Sequence, residues 1–416
     1  MSVPEGFKQT EVGVIPKDWD VTELWQLADF LDGQRKPIKS SDREKMKGIY
    51  PYYGASGIID YVNNYIFDDE LILLGEDGEN ILSRNLRLAF IVRGKIWVNN
   101  HAHVLKAKEG CSTEFLAEKL ESLNYEQYNS GTAQPKITKG TCAKIKISIP
   151  PTKAEQTAIA AALSDMDALI DGVEKLLEKK RCIKQGAMQE LLTGKRRVSG
   201  FESQAGFQQT EVGAIPKDWE VKPLGELFEI TSSKRVFQSE WKNSGIPFYR
   251  AREIAVLGEK GSVDNKLFIT EEQYELFKRQ YGVPKVGDIL VTGVGTLGKL
   301  YVVTDESKFY FKDGNIIWFK INKSVNSYFL RQLYFTKTII KQIDDASGKT
   351  TVGTYTITGA KDTVIPLPPP AEQTAIAAIL SDMDNEIEQL ETQLAKYRQL
   401  KTGMMQELLT GKKRLV

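Results

Sequence analysis

Apolar residues between Pro370 and Gly411 recur at alternating spacings of three and four: Ile387, Leu390, Leu394, Tyr397, Met404 and Leu408, with Lys401 in the same register. Residues 153–194 carry a matching stripe of Ile170, Val173, Leu177 and Leu191, with Lys180, Lys184 and Ala187 between. A stripe this narrow is a coiled-coil seam and calls for one partner helix. It predicts two helices of about 38 residues, roughly 57 Å each at 1.5 Å per residue, packed on one another. Thr152 stands three residues before Glu155, just after Pro150 and Pro151, which is the spacing of a capping box. Gly194 and Gly411 follow the last apolar pairs and suit left-handed C-terminal caps. Elsewhere the pattern is shorter. Residues 71–76, 88–94 and 95–107, then 288–293, 299–305 and 315–321, read as strands, and 115–123 and 327–343 as helices. Each helix is followed by a polar loop (130–140 and 347–359) and a last strand, so both blocks read as mixed α+β.

The long helices are copies of each other. AEQTAIAAALSDMD (154–167) returns as AEQTAIAAILSDMD (371–384), and MQELLTGKRR (188–197) as MQELLTGKKR (405–414), at one offset of 217. A second phrase repeats at 200: GFKQTEVGVIPKDWDV (6–21) and GFQQTEVGAIPKDWEV (206–221) differ only at Lys8/Gln208, Val14/Ala214 and Asp20/Glu220. Residues 22–150 and 222–367 between them show no comparable identity. The period is far above that of a solenoid. The chain therefore reads as two homologous halves, a duplicated frame with two unlike inserts: 1–152, a first helix at 153–194, then 195–369 and a second helix at 370–416. Two copies of one half are most simply related by a two-fold axis, which makes the helices antiparallel. The order of the repeats is that of a ring cut once, which places the two termini close together.

Composition narrows the class. The 416 residues allow two to three domains, and 41% hydrophobic with 27% charged residues is ordinary for a soluble protein. No apolar run reaches membrane-spanning length, and MSVPEGFKQTEVG lacks the core of a signal peptide. Three scattered cysteines, Cys111, Cys142 and Cys182, fit reduced thiols in a cytoplasm. The two histidines, His101 and His103, have no further ligand nearby in sequence, and no metal site is expected. The net charge of +1 lacks the basic excess common in DNA-binding domains, so any such surface has to be local or shared with another subunit.

The duplicated phrases, GFKQTEVGVIPKDWDV and AEQTAIAAALSDMDALI with its MQELLTGKRR end, resemble the specificity subunit of type I restriction–modification systems, and the alternation of shared and unlike blocks extends the resemblance over the whole chain. The resemblance implies an α+β architecture of two target recognition domains, separated by two long antiparallel helices in a coiled coil, with a circularly arranged pseudo-two-fold duplication. It implies that each recognition domain reads one half of an asymmetric bipartite site in double-stranded DNA. The helices would set the spacer and dock two methyltransferase subunits, and restriction subunits can join. The chain itself would do no chemistry; S-adenosylmethionine, ATP and Mg would belong to the partners. A stand-alone sequence-specific DNA-binding protein is the alternative.

No catalytic constellation contradicts this. The proline pairs Pro150-Pro151 and Pro368-Pro369 lack the flanking acid or amide and aromatic of an adenine methyltransferase, and no P-loop is present. Gly293-Val-Gly295-Thr-Leu-Gly298 is a literal G-x-G-x-x-G, but the residues after it read as a strand, where a dinucleotide site needs a helix. A glycine-rich hairpin is expected. Candidates for DNA contact are Gln134 and Lys136 in the first polar loop, and Lys349, Thr350, Thr351 and Tyr355 in the second. To these are added Tyr53, the Asn99-Asn100-His101 and His103 phrase, Arg250, Arg252 and Lys299. Gln can pair with adenine through two bonds, while Lys and Thr serve bases or phosphates.

Overall fold

The computed structural model describes residues 3–131, 133–202, 206–322, 324–348 and 353–415. The chain forms two compact units: Met1–Lys175 with Thr392–Val416, and Leu176–Glu391. The long helices span Lys153–Leu191 and Pro370–Leu408, 39 residues each, so each unit holds part of both. Within the first unit they run antiparallel, with Asp167 against Lys401 and Glu174 against Arg398 (2.6 Å). Within the second, Lys180 meets Glu386 (2.6 Å) and Lys184 meets Asp384. The stripe lies inward along this pairing: Ile170, Val173, Leu177, Leu191, Leu394 and Leu408 are buried, and Ile387, Leu390, Tyr397 and Met404 are half-buried.

In the first unit the repeated entry phrase forms the hairpin β1 (Phe7–Thr10) and β2 (Gly13–Pro16). Strand β3 (Asp20–Glu23) then enters the insert. The insert contributes β4 (Ala28–Phe30), β5 (Lys47–Gly54), β6 (Gly57–Val62), β7 (Phe67–Gly75), β8 (Ala89–Val98) and β9 (Ala102–Ala107). The last strand, β10 (Lys146–Ile149), pairs antiparallel with β3 and closes the domain at its own entrance. The sheet order is β4-β9-β7-β8-β5-β6. It coils, because β8 pairs with β7 up to Ile96 and with β5 through Trp97 and Val98, with Gly94 (φ 76°) in the strand.

The second unit repeats the plan with β11 (Phe207–Thr210), β12 (Gly213–Pro216), β13 (Glu220–Pro223), β14 (Glu229–Thr231), β15 (Ile246–Tyr249), β16 (Phe268–Ile269), β17 (Ile289–Thr292), β18 (Leu300–Val302), β19 (Tyr310–Phe311), β20 (Ile316–Lys320) and β21 (Val364–Leu367). Its main sheet, β14-β20-β17-β18, has the order of β4-β9-β7-β8, and β15 pairs parallel with β19 as β5 does with the end of β8. Inserts without shared sequence therefore share a topology.

Two sequence expectations change. Residues 88–107 form not two strands meeting at Lys95 but β8, a turn at 99–101, and β9; the Asn99 side chain accepts the His101 N–H (2.8 Å) and makes the turn. The 327–343 helix is two, Ser327–Leu333 and Lys337–Ala346, because Thr336 takes an extended backbone and caps the second with its hydroxyl.

The repeated residues hold each domain to its helices. Thr152 caps the first long helix by accepting the Glu155 N–H (3.3 Å). The Glu155 carboxylate, 1% exposed, does not complete the box; Arg414, from the end of the other long helix, binds it and Asp18 together. Arg197 binds Glu372 (2.6 Å, 0% exposed) and Asp218 (3.0 Å) in the same way. Gly411 (φ 71°) and Gly194 (φ 68°) turn left-handed at the helix ends. A Cβ on either would stand about 2.5 Å from a carbon of Pro16 or Pro216. Gln156 and Gln373 accept the backbone N–H of Ser112 (2.8 Å) and Asn326 (2.9 Å), the N-caps of the insert helices Thr113–Glu121 and Ser327–Leu333.

Candidate nucleic-acid interface

Three backbone hydrogen bonds draw the loops of each insert together. In the first, the Asn99 N–H donates to the Tyr53 carbonyl (3.1 Å), Glu76 to His101 (2.8 Å) and Ile137 to Glu76 (2.8 Å). In the second, Lys312 donates to Tyr249 (2.8 Å), Gly293 to Asn315 (2.9 Å) and Tyr355 to Gly293 (2.9 Å). The pattern matches position for position. Each cluster joins the loop after β5 or β15, the loop after β7 or β17, the turn before β9 or β20, and the polar loop that follows the insert helices. An isolated bridge, Asp77 to Lys136 or Val294 to Thr354, seals it.

The scaffold is common, but what fills it is not. Under the first cluster lies a charged network. His103 is fully buried; its Nδ1 meets Asp32 (2.7 Å) and its Nε2 the Ile137 carbonyl (2.9 Å). Arg35 reaches Glu76 (2.6 Å) and the Ala102 carbonyl (2.7 Å), and Lys136 meets the other Glu76 oxygen (3.2 Å). Burial pushes the Asp32 carboxyl up, but the hydrogen bond and charge of His103, with the Val104 N–H and Arg35, outweigh it and hold it below the usual range. Glu76 is likewise raised by burial and brought lower by Arg35 and His103. Asp32, Glu76 and His103 stand close enough to share a metal ion. However, both imidazole nitrogens are already bonded and Arg35 supplies the cation, so the group reads as a loop-holding network.

The second cluster is glycine-built. β17 and β18 form a hairpin across Gly293–Gly298, with Gly295 (φ 81°) and Gly298 (φ 71°) left-handed, and no helix follows to cradle a pyrophosphate. A Cβ on Gly293 would meet the Tyr355 carbonyl at 2.6 Å, so close backbone approach fixes that glycine.

The sequence-selected residues divide accordingly. Asn100, Gln134 and Arg252 are exposed. His101 is half exposed and faces Asp77 through Nδ1 (2.9 Å), and Tyr53 is half-buried beside Phe90. Lys136 is exposed but paired with Glu76, and Lys299 pairs with Glu259 (2.6 Å). Arg250 caps the helix Ala251–Lys260 and is bound by Glu253 (2.7 Å). Asn99, His103 and Tyr355 are buried; the Asn99 Oδ1 accepts the His101 N–H (2.8 Å), both His103 ring nitrogens are bonded, and the Tyr355 hydroxyl meets Thr363 (2.7 Å) and Tyr334 (3.4 Å). These three shape the loops from below, where sequence reasoning placed them on the surface. Lys349, Thr350 and Thr351 lie outside the described residues. Lys36 and Lys39, which sequence reasoning did not select, are exposed in the basic run RKPIK after β4.

Comparison with known proteins agrees with this arrangement. The family described as type I restriction modification DNA specificity domain matches twice, over residues 16–179 and 216–396. A Haemophilus influenzae protein named as a type I restriction enzyme specificity subunit is 31% identical over 364 residues, 87% of this chain and 86% of that protein. The type I restriction enzyme MjaVIII specificity subunit of Methanocaldococcus jannaschii is 29% identical over 435 residues, covering 99% and 96%. The crystal structure of a type I restriction–modification S subunit from M. genitalium superposes with a TM-score of 0.62 over 98% of both chains at 16% identity, a likeness of fold. With two copies of the family domain set in a duplicated frame, the chain belongs to the specificity-subunit family of type I restriction–modification systems.

Proposed function

We propose that this chain is the noncatalytic subunit that chooses the DNA sequence for a type I complex, and that its two loop clusters read the two halves of a bipartite, asymmetric site. One observation carries the reading: two inserts with the same sheet order and the same three loop-joining bonds present different side chains, on a frame whose contacts are duplicated. A shared scaffold with unlike loops suits two different half-sites. A repeated frame suits two copies of one partner, and the methyltransferase subunits dock on it, along the long helices and the entry hairpins. The helices also fix the spacer between the half-sites.

Replacing residues 22–150 with the corresponding insert of another specificity subunit tests this. Methylated adenines are mapped in cells carrying the whole system. One half-site is expected to change while the other half-site persists. A change in both, or in neither, would defeat the assignment. A chain that binds DNA specifically but never assembles with methyltransferase subunits would instead be a stand-alone DNA-binding protein.

A further inference from the structure

The edge of the first insert carries an apolar surface that its own fold does not cover. β5 and β6 form a two-stranded ribbon closed by the Gly54–Gly57 turn, and β6 is the outermost strand of the sheet. Tyr52 and Val62 of the ribbon are buried beneath the segment 36–46. The Tyr52 hydroxyl accepts the Ile38 N–H (2.9 Å), and Arg43 lies over the Tyr52 ring (5.1 Å) and pairs with Asp60 (3.1 Å). Ile49, Ile58, Ile59 and Tyr61 remain 79%, 46%, 54% and 49% exposed. Ile59 leans over Gly54, whose Cβ would stand 3.2 Å from it and 3.6 Å from the Asn99 amide, so the patch is continuous with the loop cluster.

Two observations identify what covers it. The patch belongs to one half only: β15, the counterpart of β5, leads into the helix Ala251–Lys260, which buries Ile254 and Leu257. A partner bound to both halves needs a surface present in both, whereas DNA differs from one half-site to the other. The surroundings are basic as well. Residues 35–47, RKPIKSSDREKMK, hold six basic and two acidic side chains, and Lys36, Lys39 and Lys45 are exposed, with no ion pair among the described residues. That is the charge that phosphates require. A two-stranded ribbon fits the major groove of B-DNA, where the one apolar group on a base edge is the thymine 5-methyl.

Resting on the reading of this insert as a DNA-recognition domain, we infer that the β5–β6 ribbon enters the major groove of one half-site and that Ile58, Ile59 and Tyr61 read thymine methyl groups there, with Lys36 and Lys39 on the flanking phosphates. The half-site read by the first domain therefore contains at least one A·T pair recognised by apolar contact.

The test uses the full chain assembled with its methyltransferase subunits, on duplexes carrying the mapped site. Each thymine of that half-site is replaced in turn by uracil, which lacks only the methyl. At least one replacement is expected to weaken binding by about three- to tenfold. The Ile58→Ser, Ile59→Ser, Tyr61→Ser variant removes all three apolar side chains at exposed positions and is expected to bind the thymine and uracil duplexes alike. Equal binding of all uracil duplexes by the unaltered protein overturns the inference, and so does discrimination that survives in a variant with unchanged melting temperature. A variant that folds but no longer assembles makes the patch a protein-docking face and also overturns it. None of these results touches the insert-replacement experiment, whose failure would remove the recognition-domain reading itself.

Discussion

The residues that decide the most are buried charges in the frame. Glu372 is fully buried and is bound by Arg197 and by the Trp219 indole N–H (3.0 Å). Removing one partner of a buried pair costs about 3–5 kcal/mol, because the other charge stays behind. Arg197→Met, which keeps the apolar stem, is expected to lower the urea midpoint accordingly, while Glu220→Gln, at an exposed strand position nearby, stays close to neutral; equal effects of the two would defeat the argument. The His103 network has a pH signature. Asp32 and Glu76 are depressed in the fold, so their stabilisation is present above their unfolded values, near pH 4, and is lost as pH falls through the folded ones. The melting temperature of His103→Leu should therefore lie well below that of the unaltered chain at pH 7, and the gap should narrow below about pH 4. A gap constant from pH 7 to pH 3 would mean that His103 contributes packing alone. Neither network was legible in sequence. Glu372 is 175 residues from Arg197, and Asp32 is 71 from His103, so local polarity could only suggest a surface position for a histidine that is wholly enclosed.

Elements were more readable than residues where the pattern was long. Both long helices, the Thr152 cap and the Gly194 and Gly411 ends follow from spacing alone, because a 39-residue stripe averages out local exceptions. Short elements were less secure. Asn99 breaks a run that reads as one strand, and Thr336 one that reads as one helix, each through side-chain bonds to neighbouring backbone groups. The likeness of the two insert sheets was hidden, since strand order is fixed by which backbones pair and not by which side chains repeat. The helices also give the spacer proposal its test. Four residues added after Leu176 and four after Gln393 lengthen each helix by roughly 6 Å and turn it by about 400°, so the seam nearly realigns. About 6 Å along B-DNA is one to two base pairs. Methylation mapping is expected to give the same half-sites with a longer spacer; an unchanged spacer at full activity would take the ruler role away from the helices.

For the molecule as a whole, the contacts that hold the frame of one half recur in the other. Arg414 with Glu155 and Asp18 repeats Arg197 with Glu372 and Asp218; Gly411 on Pro16 repeats Gly194 on Pro216; Gln156 repeats Gln373. The equivalence is not complete. The Trp219 indole has the Glu372 carboxylate as partner where the Trp19 indole N–H has none among the described residues, and Lys119 donates to the Leu409 carbonyl (2.6 Å) from inside the first unit. These differences lie under the surface and leave the two attachment points alike. Each insert is held by local contacts of one kind, so exchanging their places (residues 22–150 for 222–367) keeps the same frame contacts around both. If the duplication in sequence is a two-fold in space, the frame has no first and second position, and the exchanged chain should direct methylation to the same bipartite sequence with the same spacer. Two half-sites in a new relative order or orientation, with assembly intact, would show that the frame distinguishes its ends and that the duplication in sequence is not matched by equivalence in function.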